Sequence, residues 1–121
     1  MAKPTGEIAF QSRPEMESID LIELLELDDS EFRQRYRKTP LWRTRRIGMQ
    51  RNAMVVLGNQ RNQASLKSLA KHLLGDDETL RQMAAWAIGR IESDEARSIL
   101  KEHLSRETSA AIRKEILEAT A

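Results

Sequence analysis

Apolar residues along this chain recur at helical spacing and not in strand-like alternation. Ile19, Leu21, Ile22, Leu24, Leu25 and Leu27 follow Ser18 and are interleaved with Asp20, Glu23 and Glu26. This predicts an amphipathic helix with a serine cap and acids towards its N-terminal end. Ser30 is placed to cap a short helix over 31–37, with Phe32 and Tyr36 on one face. Thr39-Pro40 supplies the next start signal, with Thr as N-cap and Pro at the first helical position. Before Ser18, Pro4, Gly6 and Pro14 lie in a stretch without helical period, which predicts an extended arm over 1–17.

Beyond Thr39 the pattern repeats. QRNAMVVLG ends at Gly58 and TLRQMAAWAIG ends at Gly89, 31 residues apart. Each is followed by a one-sided helix, with Leu69 and Leu100, and likewise Leu73 and Leu104, again 31 apart. A third copy begins at Ile112-Arg113, displaced by one residue. A largely apolar inner helix alternating with a one-sided helix at this period predicts an all-α, HEAT-like solenoid of about two and a half repeats. The expected organisation is an arm over 1–17, capping helices over 18–38 and repeats over 39–121. Asn62, Asp77, Ser93 and Thr108 stand where N-caps are needed, and Gly75 where a helix must close. The recurrence of Arg51, Arg81 and Arg113 suggests an arginine bonding across the repeats.

Charge adds what periodicity does not show. Residues 1–31 hold nine acids and two bases, residues 32–75 eleven bases and no acid, and residues 76–121 ten acids and seven bases. The net +1 therefore hides a strongly basic middle. Such a block calls for an anionic partner, or for flanking acids folded back onto it. Arg43, Arg45, Arg46 and Arg51 can track a phosphate backbone, because the guanidinium fork matches phosphate oxygens. Arg61, Lys67 and Lys71 extend the basic surface, and the seven are expected to share one face. Trp42 and Trp86 could stack on bases, but their settings favour packing.

Other chemistry finds little support. Without cysteine there is no thiolate nucleophile, disulfide or cysteine-held metal. His72 and His103 lack the paired carboxylate motifs of a metal site, and no serine or threonine has a catalytic constellation around it. No catalytic or metal-binding residue is assigned. No apolar run is long enough to span a membrane, the N-terminus lacks a secretory core, and a cytoplasmic location is expected.

The stretch TPLWRTRRIGMQRNAMVVLGN, the later LRQMAAWAIGRI and the lead-in FQSRPEMESIDLIELLELDDSEFRQRYRKTP resemble the C-terminal HEAT-like region of the epoxyqueuosine reductases. The resemblance covers roughly residues 3–119. It implies a bacterial, cytoplasmic setting in the last step of queuosine synthesis, the reduction of epoxyqueuosine at the wobble position of tRNA. The family's cobalamin and two 4Fe-4S clusters lie upstream of the matching region, and this chain has none of the cluster cysteines. The resemblance thus implies a tRNA-binding domain that holds no cofactor itself, grips the anticodon stem, is not an enzyme alone, and works with a catalytic domain outside this sequence. A protein–protein interaction scaffold is the main alternative. A base-excision type of DNA-binding module ranks last, for want of a catalytic acid in an aromatic pocket.

Overall fold

The computed structural model describes residues 21–36 and 42–121, with the side chains of Trp42 and Arg43 left aside. The expected arm over 1–17, the Ser18 cap and the Thr39-Pro40 start lie outside the described residues. Among those described there is no strand. Residues 21–26 form α1, followed by α2 (Asp29–Arg35), α3 (Trp42–Asn59), α4 (Leu66–Leu73), α5 (Glu78–Ile91), α6 (Asp94–Leu104) and α7 (Ala110–Ala119). The all-α repeat architecture expected from the periodicity is the one observed. No helix among the described residues is long and apolar enough to cross a membrane.

Local chemistry sets most helix starts. Asp77 accepts from the Leu80 N–H at 2.9 Å and Ser93 from Ala96 at 3.0 Å, each as expected. Asn62 accepts from Ala64 at 3.0 Å and opens a single 3-10 turn, Gln63–Ser65, ahead of α4. Two caps differ from expectation. α2 is capped by Asp28 instead of Ser30, because Asp28 and Glu31 close a reciprocal capping box that a serine two residues later cannot form. α7 is capped by Ser109 instead of Thr108, which carries the one-residue displacement of the third copy into the turn.

Helix ends depart further. Gly75 is not left-handed, and no described glycine has a positive φ. The left-handed residues are Arg61 (φ 52°) and Glu92 (φ 61°), 31 positions apart. At the end of α3 the Asn62 N–H bonds the Leu57 carbonyl and the Arg61 N–H the Gly58 carbonyl. That is a Schellman closure with arginine where glycine is usual.

Packing divides the helices into two layers. α3, α5 and α7 lie side by side, and α4 and α6 pack against one side of α5. Gly58 and Gly89 fix the spacing. A Cβ on Gly58 would stand 2.8 Å from the Trp86 ring and 3.0 Å from the Ala87 Cα, and one on Gly89 would stand 2.9 Å from the Ala119 Cβ. The repeated glycines are thus crossing points of inner helices and do not act as helix stops. Leu57, Leu69, Leu73, Ala84, Ile88, Leu100, Ile112 and Ile116 fill the space between the layers. The inner helices are not apolar all round, as their sequence suggested. Thr79 and Gln82 on α5 and Arg51 on α3 are exposed, so the first layer keeps one open face.

The two glycines of α3 should respond oppositely to substitution. Gly58→Ala forces backbone and ring apart and should cost about 1–3 kcal/mol. A Cβ at Gly48 meets nothing within 4 Å, so Gly48→Ala should stabilise by about 0.5–1 kcal/mol through helix propensity. Chemical denaturation midpoints of the two variants check the pair.

Candidate nucleic-acid interface

The N-terminal helices are joined to the repeats by polar contacts that involve several of the expected RNA-binding residues. Gln50, fully buried on α3, donates through Nε2 to the carbonyls of Leu24 (2.9 Å) and Leu27 (3.0 Å). His72 donates through Nε2 to the Leu25 carbonyl at 2.8 Å. These carbonyls lie at the end of α1, where the last turn supplies the Leu24 carbonyl with a long bond from the Leu27 N–H (3.3 Å) and side chains complete the rest. Arg46 stands beside Gln50. It bonds Gln50 Oε1 at 2.8 Å and pairs through Nε with Asp29 on α2. Lys71 pairs with Glu26 at 2.7 Å, and Ser68 donates to the other oxygen of the same carboxylate. The Lys71 and Ser68 hydrogen bonds outweigh burial and hold the Glu26 carboxyl below its ordinary pKa of 4.5. Burial pushes the His72 imidazole below 6.5, with Arg46 adding to it and the Leu25 carbonyl opposing it.

The seven bases therefore fall into different settings. Arg46, Arg61 and Lys71 have carboxylate partners, Arg61 through Glu92 of the next repeat at 2.5 Å. Arg45, Arg51 and Lys67 are exposed and have no ion-pair or hydrogen-bond partner among the described residues. The side chain of Arg43 lies outside the described residues. The bases stand on different elements, and Arg46 and Lys71 line one pocket with Glu26 and Asp29. Arg45 and Arg51 stand on α3 in the first layer. Lys67 and Lys71 lie on the outer side of α4, opposite buried Leu66, Leu69 and Leu73. Arg61 occupies the turn between them. The acid-free run folds into a helix pair, and this divides its bases among two helices and their turn.

The recurring arginine is corrected in the same way. Arg81 Nη1 donates to the Gly75 carbonyl at 3.2 Å, and Arg113 Nη1 donates to the Leu104 carbonyl. The residue 31 before Arg81 is Gln50, which makes the corresponding bonds to α1. Arg51 does not take part. Sequence inspection missed Gln50 because glutamine and arginine share a role here, donation to a carbonyl at a helix end, without sharing a charge.

Glu107 was missed as well. Its side chain is 1% exposed, accepts from His103 Nε2 at 2.7 Å and from the Ser109 N–H at 3.0 Å, and pairs with Arg81 at 3.3 Å. Burial pushes this carboxyl up, but His103, the Ser109 N–H and Arg81 outweigh it, and the net shift is below 4.5. One carboxylate thus joins α5, α6 and the start of α7. Its signal in the sequence was an i,i+4 relation to His103 just before a cap. His72 and His103, 31 apart, both serve as donors at repeat junctions. No group of His, Asp and Glu among the described residues is arranged to hold a metal ion.

Helix pairs stacked at a 31-residue period, joined at their ends by side-chain donors, define an α-solenoid. A family model described as HEAT repeats matches residues 43–121, and the chain belongs to that family. Two solved structures of epoxyqueuosine reductase resemble it. The selenomethionine-labelled enzyme has a TM-score of 0.71 at 26% identity, over 92% of this chain and 32% of the other. The enzyme with a tRNA-Tyr epoxyqueuosine-modified stem loop has a TM-score of 0.69 at 28% identity, over 89% and 31%. An uncharacterized protein from the gldA 3′ region of Geobacillus stearothermophilus is 30% identical over 106 residues, 86% of this chain and 49% of that protein. The chain thus spans about half of that relative and about a third of the two reductases.

Acid should loosen these junctions in two stages. His72 has a folded pKa below 6.5, so the unfolded chain binds the extra proton first and stability falls as pH drops through that value. Glu26 and Glu107 have folded pKa values below 4.5, so their contribution is present above that pH and is lost as pH falls through the folded values. Denaturation midpoints should decline between pH 7.5 and 5.5, less so in His72→Gln, and steeply below pH 4.5. Glu107→Ala should cost about 3 kcal/mol at pH 7, since it leaves buried partners unpaired.

Proposed function

We propose that this chain is a tRNA-contacting HEAT-repeat module of an epoxyqueuosine-reductase-like modification enzyme, and that the chemistry belongs to a catalytic part with which the module works. The observation that carries this proposal is the likeness, over about nine-tenths of the chain, to a reductase solved with a tRNA stem loop. The exposed bases Arg45 and Lys67, which have no carboxylate to neutralise them, support it. Arg43 joins them as a phosphate-contact candidate. Arg46, Arg61 and Lys71 are neutralised by their carboxylate partners and serve as braces. A basic surface without a base-reading code suits an A-form anticodon stem, whose deep groove hides its base edges. The same reading takes the setting to be cytoplasmic and assigns no cofactor to this module.

Binding of a tRNA stem loop should be weak and strongly salt-dependent. With about four phosphate contacts, the log affinity should fall with log salt at a slope of roughly −3 to −4. The double variant Arg45→Ala/Lys67→Ala should flatten that slope by about 2 units and leave the circular dichroism unchanged. Arg46→Ala should lower stability more than it alters the slope. Identical slopes for wild type and the double variant would refute the assignment.

A further inference from the structure

The open face of α3, α5 and α7 carries a groove of about 420 Å³ that the tRNA proposal does not use. Its apolar wall is made by half-buried Val55, Met83 and Trp86. Trp86 rests on Gly58, and the Arg90 guanidinium lies 5.9 Å from its ring centroid. Arg51 on α3 and Glu115 on α7 also line the groove, from the first and last of the three helices. Thr79 and Gln82 complete the lining. Among the described residues, none of these four polar side chains has a hydrogen-bond or ion-pair partner.

Free polar groups around an apolar wall are the pattern of a surface built to be covered. One base and one acid cancel, so the groove offers no net attraction to a phosphate backbone. Opposite charges on its two outer helices instead fit a segment with opposite charges at its own ends. Methionine and tryptophan give the wall the adaptable and the rigid apolar contacts that peptide grooves combine. We propose that this groove docks an amphipathic helix of a protein partner, with its acidic end at Arg51, its basic end at Glu115 and its apolar face on Val55, Met83 and Trp86. Crossing three helices packed about 8–10 Å apart covers roughly 18 Å, which is about 12 helical residues. This inference is independent of the tRNA assignment, except that it gives Arg51 a carboxylate as its partner.

The test uses two fluorescein-labelled 12-residue amphipathic peptides with the same leucine face. One has glutamate at one end and lysine at the other, and the second has lysine at both. Wild type should bind the Glu/Lys peptide about tenfold more tightly than the Lys/Lys peptide. Arg51→Glu should reverse that preference. Met83→Glu and, as a second probe against misfolding, Val55→Glu should abolish binding of both, with folding followed by circular dichroism. Saturating tRNA stem loop should leave the peptide bound. Three results would each overturn the proposal. These are no shift of the Met83 methyl resonance at millimolar peptide, equal affinities in wild type and Met83→Glu, and displacement of the peptide by the stem loop, which would assign the groove to RNA.

Discussion

The distance between inner helices governs the rest of the fold. At Gly58 and Gly89 a missing Cβ lets α5 sit against α3, and α7 against α5, closer than any side chain would permit. The first layer gains its continuity there, and the shared core of Leu57, Ala84, Ala87 and Ile88 closes behind it. α4 and α6 then cover one side of that layer and leave the other open. The two-layer shape and the exposed groove follow from this spacing. The carboxylate of Glu107 and the amide of Gln50 act at the layer's ends, where helix termini need partners of their own.

Charge is divided between two tasks. Acids of the N-terminal segment return to the repeats as Asp29 on Arg46 and Glu26 on Lys71, and Glu92 of the next repeat meets Arg61. These contacts hold the capping helices and the first repeat together. Arg45 and Lys67 are left unneutralised, one on each layer of the first helix pair. Arg45 stands near the start of α3 and Lys67 near the start of α4, beside the turn that joins the two helices, so an RNA stem that met both would run along the pair. The same short stretch of sequence thus supplies both structural braces and candidate phosphate contacts.

The architecture was legible because repetition is redundant. A 31-residue recurrence of apolar runs, glycines and caps points to stacked helix pairs even where one cap is misplaced by a residue. Asp77 and Ser93 were found from local chemistry alone, whereas Asp28 prevailed over Ser30 through a reciprocal partner three residues on. The roles of Gly58 and Gly89 were not visible, since a glycine ending an apolar run reads equally as a stop or as a contact. The candidate interface was legible only as composition. An acid-free segment says nothing of which acids return to it from 17 or 45 residues away, nor of how a helix turn divides its bases between layers. Gln50 stayed hidden because its equivalence to Arg81 lies in geometry and not in residue type.

Site-resolved crosslinking tests the central claim most directly. A photoreactive benzoylphenylalanine placed singly at positions 45, 67 and 83 would be irradiated with a tRNA stem loop at low salt. If the module contacts tRNA through its unpaired bases, positions 45 and 67 should crosslink to RNA, position 83 should not, and the yield should collapse as salt rises. Crosslinking confined to position 83, or equal yields at all three positions regardless of salt, would contradict it.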